Sequence, residues 1–365
     1  MTRTTLILLA LCVPCTAQDP FLDRFDKNKD GKVSKEEMPE RARRMFDKVD
    51  KDQDGFITPE ENNEFRKSRG DRNKNNRGED RNSRTPKPAH ENIRYGDHER
   101  NVYDLWLAES TSPTPLVIYY HGGGFRGGNK RTVNPKLLDG LLKAGISVAA
   151  ANYRLSGTAP FPAQMHDSAR ALQHMRQNAK KYNINPDKIG ATGGSAGAVI
   201  SLWLAFHDDL ADPENEDPIL RQTTRITTAV VKAGQSSIDP RYIQELFNTD
   251  QVDGALIPMF GMEGPEDIEN EKFHPLFEEA SPINHLTRDD VPVMAYYNQP
   301  NKELPPNSSG GQHIHHPKFG IVLQEKMEET GLECELLLKE DHPREPTDKY
   351  VAFFLEKFGM TSSER

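Results

Sequence analysis

Residues 189–206 read IGATGGSAGAVISLWLAF, and this stretch decides the fold. Residues 189–192 form a short apolar run typical of a buried β-strand, and residues 198–206 form an apolar run typical of a buried helix. Between them, Gly193-Gly194-Ser195-Ala196-Gly197 matches the pattern G-x-S-x-G. There a strand turns directly into a helix and holds a serine in a strained conformation, so only small residues fit beside it. The stretch therefore predicts a nucleophilic Ser195 on a sharp strand-to-helix turn.

Short apolar strands alternate with helical patterns on both sides of this turn. The predicted strands are residues 102–107, 116–120, 148–151, 189–192, 228–233, 293–297 and 334–338. The predicted helices are residues 135–144, 165–182, 198–206, 319–330 and 347–358. This alternation predicts an α/β fold with a mostly parallel sheet for residues 91–365.

A glycine run follows the predicted strand 116–120. It reads His121-Gly122-Gly123-Gly124. Glycines let the backbone approach a substrate carbonyl closely and point N–H groups at it. Together with the N–H of Ala196, the N–H groups of Gly123 and Gly124 are the predicted oxyanion hole, the set of donors that stabilises negative charge on a reacting carbonyl oxygen.

Two twelve-residue segments, beginning at Asp26 and Asp50, fit a calcium-binding loop. Such a loop supplies oxygen ligands from positions 1, 3, 5, 7, 9 and 12, with position 7 using its backbone carbonyl. The predicted ligands are Asp26, Asn28, Asp30, Lys32, Ser34 and Glu37 in the first loop and Asp50, Asp52, Asp54, Phe56, Thr58 and Glu61 in the second. The apolar position 8 of each loop, Val33 or Ile57, is predicted to pair across the two loops. Residues 18–65 thus predict a small helical module with two Ca²⁺ sites, and they resemble a compact bacterial EF-hand pair.

The N-terminus has the order of a secretory signal peptide. Arg3 precedes an apolar run over residues 6–13, and small residues follow as far as Ala17. The run is far shorter than the roughly 20 residues needed to span a bilayer. We therefore expect cleavage near Ala17 and a secreted or periplasmic protein. Cys12 and Cys15 would leave with residues 1–17, so Cys334 would remain without a partner.

Residues 66–90 carry nine basic and three acidic residues and show no apolar periodicity. Such a composition predicts a flexible basic linker between the two modules. The whole 365-residue chain nevertheless has a formal charge of −9, so its folded parts are acidic. This balance argues against a nucleic-acid partner, because a phosphate-binding face needs clustered Lys and Arg on folded structure.

Several segments of the large domain resemble one enzyme family. These are HGGGF (121–125), NYRLS (152–156), FPAQMHDSARAL (161–172) and NINPDKIGATGGSAGA (183–198), together with the tail after Leu338. They are similar to hormone-sensitive-lipase-like esterases of the α/β-hydrolase fold and to the secreted bacterial acetyl/feruloyl-esterase branch. The resemblance implies an eight-stranded sheet, hydrolysis of carboxylic esters, and a Ser–acid–His triad in that chain order. It also places Asp167 on a helix near the nucleophile strand, where we interpret it as structural.

The predicted general base is His342. It follows the last predicted strand, where the family carries its catalytic histidine, and an imidazole can take the serine proton and return it to the leaving alcohol. His313, His315 and His316 are the alternative histidines. We interpret His315 and His316 as pocket rim or structure at the start of a helix.

The acid departs from the family pattern. After strand 293–297 the family carries Gly-x-x-Asp, whereas this chain has Asn301 at the position of the aspartate. An amide cannot hold a negative charge against a forming imidazolium. Glu303 is the preferred candidate because its longer side chain could reach in, and Asp239, after the preceding strand, is the second.

Two functions compete at this stage. The leading hypothesis is a secreted calcium-binding serine carboxylesterase that acts on acylated carbohydrate, for instance on acetyl or feruloyl groups of a polysaccharide, and needs no cofactor for the ester chemistry. The alternative is a degenerate hydrolase that binds a glycan or a protein in a calcium-dependent manner. A carboxylate that reaches the base would favour the enzyme. No membrane span is expected.

Overall fold

A computed structural model describes residues 25–38, 43, 46–65, 85–305 and 308–360 of the chain. The chain divides into two compact units, residues 1–84 and 85–365. The predicted signal peptide and most of the predicted linker lie outside the described residues. The end of that linker belongs to the second unit, because Trp106 Nε1 donates a 2.6 Å hydrogen bond to the carbonyl of Pro86.

The first unit is built around its two loops. Strands β1 (Val33–Ser34) and β2 (Phe56–Ile57) pair antiparallel with Val33 opposite Ile57, which confirms the predicted pairing at position 8. Both side chains are fully buried. Helix α1 (Phe46–Val49) and a helical run over residues 59–65 flank them. The remaining buried apolar residues are Met38, Phe46 and Val49.

The second unit contains one eight-stranded sheet. Its strands are β3 (His90–Arg94), β4 (Val102–Trp106), β5 (Thr114–Tyr120), β6 (Ser147–Ala151), β7 (Ile184–Gly194), β8 (Thr228–Lys232), β9 (Val293–Tyr297) and β10 (Cys334–Leu338). Their order across the sheet is β10-β9-β8-β7-β5-β6-β4-β3. Every pair from β6 to β10 is parallel, while β4 runs antiparallel to both of its neighbours. This confirms the predicted mostly parallel α/β fold.

Helices cover both faces of the sheet. They are α2 (Pro135–Lys143), α3 (Ala163–Gln177), α4 (Ala196–Phe206), α5 (Pro240–Phe247), α6 (Leu256–Phe260), α7 (His274–Ala280), α8 (Gly310–His313), α9 (Lys318–Thr330) and α10 (Thr347–Lys357). The sequence predicted α2, α3, α4, α9 and α10, although α3 ends five residues before its predicted end. It missed strand β3 and the shorter helices α5 to α8. No helix in the part of the chain that the structure describes is long and apolar enough to cross a bilayer.

The sheet separates two apolar cores, as expected when side chains alternate between its faces. On β5, Ile118 and Tyr120 join the core under α3 and α4, whereas Val117 joins the core under α2 and α10. Helix α4 is buried along its whole length, which explains why its sequence is apolar on every side.

The predicted functional segments meet at one edge of the sheet. Strands β5 and β7 are adjacent and parallel, with Tyr120 opposite Gly193. The chain segments that follow these two residues, His121–Gly124 and Gly194–Ser195, therefore leave the sheet side by side. In open α/β sheets, this carboxyl edge is where ligands bind.

Candidate active site

Ser195 lies on the predicted strand-to-helix turn, between the last residue of β7 and the first residue of α4. Its backbone angles are φ 55° and ψ −122°, a conformation that residues with a side chain rarely adopt. The Ser195 N–H donates a 3.0 Å hydrogen bond to the carbonyl of Lys232. The neighbouring backbone leaves no room for larger residues, since a Cβ on Gly197 would lie 2.0 Å from the carbonyl oxygen of Tyr120. The strained serine and its small neighbours are thus as the sequence predicted.

His315 contacts this serine. Its Nε2 lies 2.9 Å from Ser195 Oγ, a hydrogen-bond distance. On the other side of the ring, Nδ1 lies 2.9 Å from the carbonyl oxygen of Gly311. A carbonyl can only accept, so Nδ1 carries the proton and Nε2 has a free lone pair for the serine hydroxyl. This is the tautomer that a general base needs.

The predicted pairing of Ser195 with His342 is wrong in this structure. His342 follows β10, which lies three strands away from β7, so roughly 14 Å separate the two strand ends. The His342 carbonyl accepts a 3.0 Å hydrogen bond from the hydroxyl of Tyr296, and the ring of Tyr296 belongs to the core under α10. The backbone of His342 therefore bonds a side chain on the face of the sheet opposite α4, and among the described residues the ring at Ser195 Oγ is that of His315.

Neither predicted acid reaches the imidazole. Asp239 is the N-cap of α5, and its carboxylate is paired with the guanidinium of Arg241 at 2.6 Å. Glu303 is exposed to solvent. The carbonyl of Gly311 takes the position that the acid would occupy beside His315. The predicted contact of Glu303, or of Asp239, with the imidazole is therefore wrong in this structure: the partner of His315 Nδ1 is a backbone carbonyl.

The other histidines of this segment have separate contacts. His316 Nε2 lies 2.9 Å from the carbonyl of Lys302, and its Nδ1 accepts the N–H of Lys318, so it joins two parts of the backbone, as expected for a structural residue. His313 is buried against the ring of Phe247. Only His315, which had been interpreted as pocket rim or structure, is bonded to Ser195 among the described histidines.

The glycine run after β5 packs directly on the serine turn. A Cβ on Gly122 would lie 2.6 Å from the carbonyl oxygen of Gly194, so the two segments touch backbone to backbone. Gly124 and Ala196 line one pocket together with Ser195. Ala196 is the first residue of α4, where backbone N–H groups have no partner within the helix. The predicted donors thus lie beside the serine.

His121 holds the glycine run in place. Its ring stacks on Tyr153 at 4.3 Å between centroids, its Nδ1 lies 2.9 Å from the carbonyl of Gly122, and its Nε2 lies 3.0 Å from Arg100 Nη2. Arg100 can only donate, so Nε2 accepts and the imidazole is neutral. Burial, assisted by the charge of Arg100, lowers the pKa of His121 to about 4.

This low pKa predicts loss of stability in acid. In the unfolded chain His121 takes up a proton near its ordinary pKa of about 6.5, whereas the folded chain resists protonation down to about pH 4. The stabilisation is complete above pH 6.5 and falls by about 3 kcal/mol as the pH drops to 4. Urea unfolding across this range should therefore give a shallower pH dependence for His121→Asn than for the wild type. The control His90→Asn, at an exposed position, should keep the wild-type slope. An unchanged slope in His121→Asn would contradict the assignment.

A small, largely apolar pocket opens at Ser195. Gln235 closes one side of it by donating a hydrogen bond to the carbonyl of Ile314. The apolar lining residues are Phe125, Ile238, Ile243, Ala255, Leu256 and Ile314, and the polar ones are Ser195, Gln235 and Asp253. The pocket places an apolar group of a bound molecule next to the serine hydroxyl.

The second of the two predicted calcium loops gathers three carboxylates in one place. Oxygens of Asp50, Asp52 and Asp54 lie within 4.8 Å of one another, and the buried Oδ1 of Asp50 has no hydrogen-bond partner. In the first loop, Asp26 accepts the N–H of Gly31, and hydrogen bonds from Ser34 lower the pKa of Glu37 to about 2. Glu37 therefore stays ionised at neutral pH, and an all-oxygen donor set suits Ca²⁺.

Comparison with known proteins places this architecture in a family. The family model BD-FAE matches residues 103–311, which is more than half of the chain. The chain belongs to the BD-FAE family. A second family model, EF hand, matches residues 17–38 and 42–62, the region of the two calcium loops.

This BD-FAE chain is also similar to curated esterases. It is 27% identical over 228 residues to the probable carboxylic ester hydrolase LipM of Mycobacterium tuberculosis (strain ATCC 25618 / H37Rv). The aligned residues make up 61% of this chain and 51% of LipM. It is 34% identical to an acetyl esterase of Salmonella schwarzengrund, over 31% of this chain and 33% of that protein. The chain thus spans about half or less of the length of these relatives.

Solved structures share the fold of this BD-FAE chain. An acetyl ester-xyloside bifunctional hydrolase from Caldicellulosiruptor lactoaceticus has a TM-score of 0.59 at 20% identity, with 75% of this chain and 99% of that chain covered. An esterase of Thermogutta terrifontis has a TM-score of 0.54 at 18% identity, with 75% and 94% covered. Both likenesses support the α/β-hydrolase fold.

The family match stops at Gly311, four residues before His315. The match therefore includes the serine turn and the glycine run of this BD-FAE chain but neither of the two competing histidines. The sequence carries a similar signal at both of them, since His315-His316-Pro317 and His342-Pro343 each precede a helix. Only the folded position of α8 distinguishes them.

Proposed function

We propose that this chain is a serine carboxylic ester hydrolase in which Ser195 is the nucleophile and His315 is the general base. The observation that carries the proposal is the 2.9 Å contact between Ser195 Oγ and His315 Nε2 at the mouth of an apolar pocket. A serine activated by an adjacent imidazole is the arrangement for acyl transfer. The esterase names of the relatives support the same reaction class.

In the first half of the reaction, His315 Nε2 takes the hydroxyl proton while Ser195 Oγ bonds to the ester carbonyl carbon. The carbonyl oxygen becomes negatively charged, and the N–H groups of Gly123, Gly124 and Ala196 are the proposed donors to it. His315 then gives the proton to the oxygen of the leaving alcohol as the bond between that oxygen and the carbonyl carbon breaks. The alcohol leaves, and the acyl group stays on Ser195.

In the second half, water replaces the alcohol. His315 takes a proton from this water, whose oxygen attacks the acyl carbon, and returns the proton to Ser195 Oγ as the carboxylic acid leaves. The Gly311 carbonyl keeps the imidazole in the reactive tautomer throughout. Because this carbonyl is neutral, it stabilises the imidazolium less than a carboxylate would, and we expect slower turnover than in an enzyme with a complete triad.

For the substrate, we propose esters of short acyl groups on carbohydrate, with acetyl favoured over feruloyl. The branched side chains of Ile238, Ile243 and Ile314 crowd the pocket at Ser195, which suits a small apolar acyl group. The names of an acetyl esterase relative and of an acetyl ester-xyloside hydrolase neighbour agree with this choice. The expected signal peptide would bring the enzyme to extracellular polysaccharide.

The test is a substrate panel with the full chain. We expect hydrolysis of p-nitrophenyl acetate, slower hydrolysis of the octanoate, and release of acetate from acetylated xylan. Faster cleavage of methyl ferulate than of the acetates would overturn the preference for acetyl. Binding of xylan without hydrolysis of any ester would instead support the non-catalytic alternative. The observation in favour of that alternative is that the partner of His315 is a carbonyl and not a carboxylate.

We also propose that residues 18–65 hold two calcium ions, one in each loop. Asp26 and Asp50 are the first ligands of the two loops, so Asp26→Ala with Asp50→Ala should remove the heat of Ca²⁺ binding in titration calorimetry of the full chain. Wild type should bind two ions and gain thermal stability, because an ion that binds only the folded form stabilises it. Each single variant, the matched control, should retain one site. Undiminished binding by the double variant would contradict the proposal.

A further inference from the structure

A second group of reactive side chains lies at the opposite end of α4 from Ser195, roughly 16 Å along the helix. His207 follows the last residue of α4, Glu279 lies in α7, and His285 follows a short helical turn, Pro282–Asn284. One potential ligand atom from each of the three residues lies within 4.8 Å of the other two. The reaction at Ser195 uses none of them.

The contacts of His207 place one of its ring nitrogens against a carboxylate oxygen of Glu279. Its Nδ1 lies 2.8 Å from the carbonyl of Asp208 and donates to it, so Nε2 is the ring nitrogen left for a second partner. That Nε2 faces Glu279 Oε1 at 2.8 Å. A carboxylate oxygen and a lone pair repel each other unless a proton or a metal cation lies between them.

His285 is also held by a backbone carbonyl, but through Nε2 and not through Nδ1. Its Nε2 lies 2.8 Å from the backbone carbonyl of Glu279 and donates to it, which leaves Nδ1 as the ring nitrogen for a second partner. Metal-binding histidines commonly donate their second ring N–H to a carbonyl or a carboxylate, which fixes the tautomer and aims the other nitrogen at the ion. Both imidazoles of the group have this support.

The surroundings hold the group rigid and leave a path to solvent. The Trp203 ring stacks on His207 at 4.0 Å between centroids, and Trp203 Nε1 donates a 3.0 Å hydrogen bond to the same Glu279 carbonyl. The side chain of His207 is 14% exposed and that of Glu279 is 49% exposed. The C-terminal end of α4 also carries the partial negative charge of the helix dipole, which favours a cation here.

We propose that His207 Nε2, Glu279 carboxylate and His285 Nδ1 bind one divalent transition-metal ion, with water as a fourth ligand. Two imidazoles and one carboxylate suit Zn²⁺ best among the common ions. The ion links α4 to the segment 274–285. In that segment, Ser281 Oγ accepts the N–H groups of Ile238 and Asp239 at the pocket wall. The metal therefore stabilises the domain and takes no part in ester cleavage.

The experiment uses the full chain, stripped of metals with a chelator and then saturated with Ca²⁺ to fill the loops. Titration calorimetry with Zn²⁺ should show a site that His207→Gln and His285→Gln each remove and that Glu279→Gln weakens at least tenfold. Zn²⁺ should raise the Tm of the wild type but not of the two histidine variants. Co²⁺ should give the visible absorption of a tetrahedral site in the wild type only. The control His90→Gln should retain all three signals.

Two outcomes would overturn the proposal. One is Zn²⁺ binding that is equal in the wild type, His207→Gln and His285→Gln, which would place the ion elsewhere, for instance at the histidines near Ser195. The other is the absence of Zn²⁺ binding in the wild type, which would leave His207 and Glu279 as a protonated ion pair. Circular dichroism of each variant checks that it is folded. The result is independent of whether the chain hydrolyses esters.

Discussion

Ser195→Ala is expected to lower kcat for p-nitrophenyl acetate by at least about 10⁴-fold, because every proposed step passes through a bond to its hydroxyl oxygen. The substitution removes one oxygen atom from an open turn and leaves the Ser195 N–H, which bonds Lys232, unchanged. Urea unfolding should therefore give nearly the wild-type stability. Loss of activity in a fully folded protein is the signature of a nucleophile.

The matched control for this variant is Ser201→Ala. Ser201 lies on the same helix, where its hydroxyl donates to the carbonyl of Gly197 and faces the core, away from the pocket. This variant should keep ester hydrolysis within a few-fold of wild type. Ordinary turnover by Ser195→Ala, or an equal loss in both variants, would show that the hydroxyl of Ser195 is not the attacking group.

The serine and the fold could be predicted because their signals are local. The run 189–206 dictates a strand, a turn and a helix through its own apolar pattern and small residues, and the structure has all three. The calcium loops are also local, since all ligands of one ion come from twelve consecutive residues. Val33 and Ile57 pair as expected for the same reason.

The histidine that contacts Ser195 could not be predicted, because its position depends on contacts between distant segments. His315 reaches the serine because helix α8, just before it, packs against the loop that precedes α6. The packing is close, since a Cβ on Gly310 would lie 2.7 Å from the Asp253 Cα. No spacing within residues 298–342 reveals this contact. The partner of the base is also invisible in the sequence, since a carbonyl such as that of Gly311 belongs to every residue alike.

His315→Ala and His342→Ala give the second large contrast. His315→Ala removes the group that takes and returns the proton, so kcat should fall by at least about 10³-fold. His342→Ala should remain near the wild-type rate, because the His342 ring does not bond Ser195 and its backbone carbonyl, which alanine retains, is the group that bonds Tyr296. Initial rates with p-nitrophenyl acetate at a fixed pH measure both.

Two further measurements separate a lost base from a disturbed pocket. In His315→Ala, added imidazole should restore part of the activity by occupying the space of the missing ring, whereas it should not help Ser195→Ala.

The two carboxylates give the other measurement. Glu303→Gln should leave kcat unchanged, because its side chain is exposed. Asp239→Asn should weaken the pair with Arg241 and lower stability more than kcat, because this carboxylate caps α5 and does not touch the imidazole. If His342→Ala were inactive and His315→Ala were not, the working enzyme would use the histidine after β10, and the contact at Ser195 would belong to a resting arrangement that substrate displaces.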